Sequence, residues 1–280
     1  MTTTCIVYLA SPLDGYNATL STGEKRFDML KESIKNVTSV LKLPVIIFHE
    51  DFTKDIENDV LAVYPNIEFD KIDMIRNDLP FVHKPCKTSG NYELCECEKN
   101  KNTTKTCWRP KGYLMMCRFF SGQLQNHQLL KKYDSYIRFD DDSFFIDPII
   151  HHDDFLKQLH QNDYVFRSVF REGQSQQTLF EFTKQFCKDN GGFDIPNNIP
   201  GIIQNGQYTG LSPYNNFHYC KLSLWQHPMI KLYVDTIDKL NGCLINNWMD
   251  ANIHAMIIFI LMPLISKKCS DASKILKLKF

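Results

Sequence analysis

Two apolar runs, Cys5–Ala10 and Val45–Phe48, stand on either side of a helical stripe, and this alternation leaves few architectures open. Phe27, Leu30, Ile34, Val37 and Leu41 recur at steps of three and four, the spacing of one buried helix face. Ser21 and Glu24 stand before that stripe at capping-box spacing, and Pro44 ends it. A second helical pattern, Ile56, Val60 and Leu61, leads to a short strand near Ile67–Phe69. Strand–helix–strand–helix of this length predicts βαβ units, hence a mostly parallel central sheet flanked by helices, an α/β fold. Further strands are expected at Tyr136–Phe139 and Asp163–Phe166. Helices are expected from about Tyr113 to Leu130, over Gln177–Cys187, over His227–Leu240, and from about Trp248 to Leu261. Residues 191–210, rich in Gly, Pro and Asn, read as loop.

The segment from about 84 to 111 breaks this pattern. It is polar, rich in Asn, Lys and Thr, and too poor in apolar residues to carry a core, so it reads as an insertion in a single domain spanning 1–280. Four of the ten cysteines, Cys86, Cys95, Cys97 and Cys107, crowd there. A structural zinc site, two disulfides and free thiols are all open readings, since the paired C-x₂-C spacing of zinc knuckles is absent. The other six cysteines sit in apolar or helical surroundings and read as small buried hydrophobes.

Charge and hydropathy exclude some roles. Lys and Arg total 32 against 32 Asp and Glu, so nothing in the overall balance implies a nucleic-acid-binding surface. The longest apolar run, Ala255–Ile265, is interrupted by Pro263 and falls short of the roughly 20 residues that span a bilayer. No signal-peptide pattern precedes Cys5, so the expectation is a cytoplasmic chain, or one in the secretory-pathway lumen if an anchor has been removed.

Two constellations carry chemistry. Asp140, Asp141 and Asp142 close the apolar run Tyr136–Phe139. If the strand continues, Asp140 and Asp142 share a face while Asp141 points away. Two converging carboxylates without a paired cation repel, and a hard divalent metal such as Mn²⁺ or Mg²⁺ relieves them. A solvated turn is the alternative, since Asp is a common turn residue. Farther along, Asp250 and His254 lie four apart on one helix face. They read either as a surface carboxylate beside a half-buried histidine, or as a metal-binding His254 oriented by Asp250.

Several blocks, in order, resemble the fungal Golgi α-1,2-mannosyltransferase family (glycosyltransferase family 15). Tyr113 to Gly122, with Cys117 and Arg118, looks like that family's Tyr-x-x-Met-Cys-Arg-Phe-x-Ser-Gly. Tyr133 to Asp142 is similar to its Tyr-Asp-Tyr-Tyr-Trp-Arg-Val-Glu-Pro-Asp, Tyr214 to His218 to its Asn-Phe-Glu-Ile region, and Trp248 to His254 to its Trp-Gly-Asp-Ala-Pro-Val-His. The resemblance implies a GT-A-like nucleotide-sugar-binding fold and a retaining transferase using GDP-mannose and Mn²⁺. The partners it implies are a nucleotide-sugar donor and a glycan or glycoprotein acceptor. It places metal ligands at Asp140, Asp142 and His254, and donor contacts at Tyr113, Arg118 and Arg138. The positions bearing on catalysis are His218, which stands where the family has Glu, and Asp250. An imidazole is a poor substitute for a carboxylate that must steady an oxocarbenium-like centre. The alternative is therefore a catalytically inactive member of the fold that binds glycan or a protein partner. A metal-dependent phosphohydrolase is a third reading, weakened by the lack of a second ligand cluster close in sequence.

Overall fold

In this computed structural model the described residues are 2–10, 26–73, 85–87, 93–95, 111–146, 152–172, 176–269 and 275–277. They fall into two compact units: Met1–Asp73 with Leu129–Phe166 and Asn215–Leu222, and Met74–Gln128 with Arg167–Tyr214 and Ser223–Phe280.

The first unit is the predicted parallel sheet. Its strands are β1 (Thr4–Leu9), β2 (Val45–His49), β3 (Ile67–Lys71), β4 (Ser135–Phe139), the first residues of β5 (Tyr164–Arg171) and the last of β6 (Leu211–Lys221). The order is β5-β6-β4-β1-β2-β3. β1 pairs in parallel with both β2 and β4, β2 pairs in parallel with β3, and β6 runs antiparallel to β4. Every residue of β2 and β4 is buried. That is why both read as unbroken apolar runs: helices cover both faces of a parallel sheet, so alternation is lost. β3 is the edge, half-exposed, and it carries Glu68, Asp70 and Lys71, charges that discourage further pairing.

The helix Arg26–Val40 buries Leu30, Ser33, Ile34, Val37 and Thr38, the expected stripe with two small hydroxyls added. The helix Lys54–Val63 buries Val60, and its Thr53 cap accepts from the Ile56 N–H. The capping pair Ser21 and Glu24 lies outside the described residues.

Three expectations in the second unit need correcting, two of helices and one of a loop. The α-helix Lys111–Arg118 does not run on to Leu130; a π-turn at Phe119–Gln123 and short 3₁₀ turns replace it. The last helix passes Pro263 instead of ending at Leu261. A π-turn at Ile257–Leu261 precedes the proline, with the Met262 N–H reaching back to the Ile257 carbonyl, and α-helix resumes over Met262–Cys269. The wider turn absorbs the hydrogen bond a proline cannot make. Finally, residues 191–210 are not loop throughout: Ile203–Gln204 and Gln207–Tyr208 form a hairpin closed by Asn205 and Gly206, both at positive φ (51° and 74°). Asn-Gly is the pair that a type I′ turn selects. Among the described residues, no helix is long and apolar enough to cross a membrane.

Candidate functional site

The acidic motif sits at the carboxyl end of β4, but not in an extended strand. β4 ends at Phe139, and the Ser143 N–H closes a turn onto the Asp140 carbonyl at 3.0 Å. The expected facing of Asp140 and Asp142 with Asp141 turned away therefore gives way to three distinct environments. Asp141 is the most buried at 3% exposure, and the Arg26 guanidinium grips it with two bonds, Nε to Oδ2 at 2.8 Å and Nη2 to Oδ1 at 3.0 Å. Asp140 is intermediate, at 34% side-chain exposure, and Asp142 is exposed. Nor does the turn lack cations: Arg138, only 2% exposed, donates from Nε and Nη2 to Asp140 Oδ1 at 3.1 and 2.9 Å.

Burial pushes the Asp140 carboxyl up to about 6. Asp141 and Asp142 push the same way, and Arg138 opposes them. Asp141 is raised as well, by burial first, with Arg26 pulling it down. The helix Arg26–Val40 pins the chain that follows. Ser33 donates to the Ser143 carbonyl at 2.6 Å, while Asn36 and Phe145 exchange two bonds, at 3.1 and 2.7 Å. One helix thus holds three successive points of the turn, and Arg26 is the one nearest the carboxylates. Arg26→Ala is expected to lower stability by about 1–3 kcal/mol, less than a fully buried pair because Arg26 is 36% exposed. Urea denaturation measures this; a midpoint equal to wild type would mean that Asp141 is carried by other groups.

His218 stands on β6, opposite Arg138 in register, and is 0% exposed. Its Nε2 lies 3.0 Å from the Tyr136 hydroxyl and its Nδ1 3.3 Å from the Asn215 carbonyl. The ring stacks on Tyr164 with centroids 5.3 Å apart. It is packed as a core side chain.

The remaining predicted positions lie in the second unit. Asp250 opens the helix Asp250–Met256 and is buried beside the Cys117 thiol, which burial first and then the Asp250 charge push well up. His254, 0% exposed, donates from Nε2 to the Phe120 carbonyl at 3.0 Å and packs on Trp225. A carbonyl can only accept, so Nε2 carries a proton. Tyr113 donates to the Met249 sulfur at 3.6 Å. Arg118 is bound by Asp238 through Nε and Nη2, at 2.6 and 3.1 Å. This pair lines a cavity of about 390 Å³ with Asn126, His127 and Asn241.

Among the described residues, no three His, Cys, Asp or Glu side chains form a group that could hold a metal ion. Cys97 and Cys107 lie outside the described residues, and Cys86 and Cys95 are described only as backbone of the strand pair Pro85–Lys87 and Glu93–Cys95, so the zinc expectation falls outside them. Cys5, Cys117, Cys187, Cys220 and Cys243 are buried free thiols, as their surroundings in sequence implied. Sequence reasoning passed over Arg26, Ser33 and Asn36, whose only signal was polar residues on or beside an otherwise apolar helix face.

A family model described as glycolipid 2-α-mannosyltransferase matches residues 45–268. The chain belongs to glycosyltransferase family 15. It is 29% identical over 159 residues to a glycolipid 2-α-mannosyltransferase of Saccharomyces cerevisiae, covering 55% of this chain and 36% of that one. An O-glycoside α-1,2-mannosyltransferase of Schizosaccharomyces pombe is 30% identical over 154 residues, covering 53% and 39%. The chain therefore spans well under half the length of these curated relatives. A solved structure of core-mannan synthase A (CmsA/Ktr4) from Aspergillus fumigatus, in its Mn/GDP form, superposes with a TM-score of 0.68 at 17% identity, covering 92% of this chain and 70% of that one. That likeness identifies the fold as GT-A-like.

Proposed function

We propose that this family 15 chain is a metal-dependent retaining glycosyltransferase that moves mannose from GDP-mannose to a glycan or glycoprotein acceptor. The relatives named above are mannosyltransferases, and the superposed neighbour was solved with Mn and GDP. The observation that carries the reading is the acidic turn at the end of β4. Both Arg138 bonds land on Asp140 Oδ1, and among the described residues no hydrogen bond reaches Oδ2. That oxygen and the exposed Asp142 are hard donors of the kind Mn²⁺ or Mg²⁺ takes. His254, the third ligand the family resemblance implies, belongs to the second unit, where its Nε2 is held by the Phe120 carbonyl.

The bound metal would supply Lewis-acid stabilisation of the charge that grows on the departing diphosphate. Arg138 steadies Asp140 in its ionised form and fixes its orientation. The two arginines offered as donor-side clamps, Arg118 and Arg138, act here through Asp238 and Asp140. The acceptor hydroxyl attacks from the face the diphosphate leaves, without an obligatory enzyme nucleophile, a route that tolerates His218, whose ring nitrogens meet Tyr136 and Asn215. Asp250 is the carboxylate that would act if one is required.

The same burial of His218 favours a second reading, an inactive member of the family that binds glycan. A panel of GDP- and UDP-sugars with Mn²⁺ separates the two. GDP-mannose is expected to turn over faster than any other donor. Glycan binding with no turnover of any donor would establish the second reading instead.

A further inference from the structure

The strand pair that carries the acidic turn brings one more oxygen to it. β6 is antiparallel to β4 with Phe217 opposite Phe139 and His218 opposite Arg138. One further step of that register sets Asn216 across from Asp140, whose N–H donates to the Asn216 carbonyl at 3.0 Å. Opposed residues of an antiparallel pair project to the same face, with Cβ atoms about 4.5–5.5 Å apart. That bond carries the ladder one residue past β4 before the Ser143 turn closes, so the Asn216 and Asp140 side chains are expected on one face.

Asn216 Oδ1 is buried and has no hydrogen-bond partner among the described residues. Groups around it are bound to other atoms. Arg138 donates to Asp140 Oδ1, the Ser143 hydroxyl to the Asn216 backbone carbonyl at 3.4 Å, and the His218 ring engages Tyr136 and Asn215. A buried amide oxygen left unmet is costly and uncommon. Asp140 Oδ2 is a second acceptor that receives no hydrogen bond among the described residues. Two acceptors on one face are relieved together by a cation.

We propose that Asn216 Oδ1 is a ligand of the divalent cation held by Asp140; the inference rests on the metal-dependent reading above. A neutral amide adds an oxygen without adding charge to a turn that already carries three carboxylates.

The test titrates Mn²⁺ alone into the full chain, following free Mn²⁺ by electron paramagnetic resonance, with a thermal melt of each variant. Asn216→Ala is expected to bind Mn²⁺ at least tenfold more weakly, and Asn216→Asp to recover binding. Without metal, Asn216→Ala is expected to melt at or above wild type, since an unmet oxygen has been removed. If Asn216→Ala binds Mn²⁺ like wild type while Asp140→Ala does not, the Asn216 assignment is overturned and the metal reading stands. If Asn216→Ala melts lower and Asn216→Asp fails to recover binding, the amide is a structural contact and the assignment is again overturned. If wild type does not bind Mn²⁺, or Asp140→Ala binds as well as wild type, the metal reading falls and this inference with it.

Discussion

Asp140→Ala is expected to abolish Mn²⁺-dependent sugar transfer, a loss of at least about a hundredfold by analogy with removal of one group that stabilises developing charge. The substitution removes Oδ2, the proposed ligand atom, and it also strips Arg138 of the carboxylate that accepts two of its N–H groups. Because Arg138 is 2% exposed, its charge is left poorly compensated, and stability drops too. A fully buried pair broken in this way costs about 3–5 kcal/mol; with Asp140 one-third exposed, about 1–3 kcal/mol is expected. Asp140→Asn separates the two effects. Its amide oxygen still accepts from Arg138, so the urea midpoint should stay near wild type, while transfer remains lost because an amide NH₂, a donor that cannot ligate a cation, replaces Oδ2. Full transfer by Asp140→Asn, in the presence of Mn²⁺, would sink the assignment of Asp140 as a metal ligand.

His218→Ala is expected to be the most destabilising of these substitutions, by about 2–4 kcal/mol. The imidazole fills space between Tyr164, on which it stacks, and Tyr136, which it meets edge-on with centroids 5.3 Å apart. Its loss opens a cavity and strips the Tyr136 hydroxyl of its Nε2 contact. His218→Gln, which retains a polar group for that hydroxyl, should recover part of the stability. Denaturant midpoints check both variants. The outcome decides what the residue is for: a variant that keeps the wild-type midpoint yet loses transfer would return His218 to the chemistry, whereas loss of stability in proportion to loss of transfer makes it a packing residue. The family's carboxylate position would then have been given over to the core in this chain.

The parallel sheet was legible because β1, β2 and β4 are buried on both faces and so appear as uninterrupted apolar runs, while the helix Arg26–Val40 shows a single-faced stripe. The π-turns before Leu124 and Pro263 were not legible, since apolar periodicity at 3.6 is barely altered by one extra residue in a turn. The Asn205–Gly206 hairpin was legible and was missed: its dipeptide is the sign of a type I′ turn, but the flanking strands, at two residues each, are too short to show alternation.

The acidic triplet shows where the two kinds of information divide. Sequence by itself determined the family, the α/β sheet and the position of three carboxylates after a buried strand, because local periodicity and ordered motifs depend only on neighbours along the chain. Tertiary structure decided what each carboxylate is. Asp141 is closed off by Arg26, 115 positions away, Asp140 is held by Arg138, and Asp142 faces solvent. Asn216 joins them only through the register of β6 on β4, a pairing between segments far apart in sequence. Ion pairs and cross-strand neighbours are set by how segments dock, and no pattern of spacing within one segment records that.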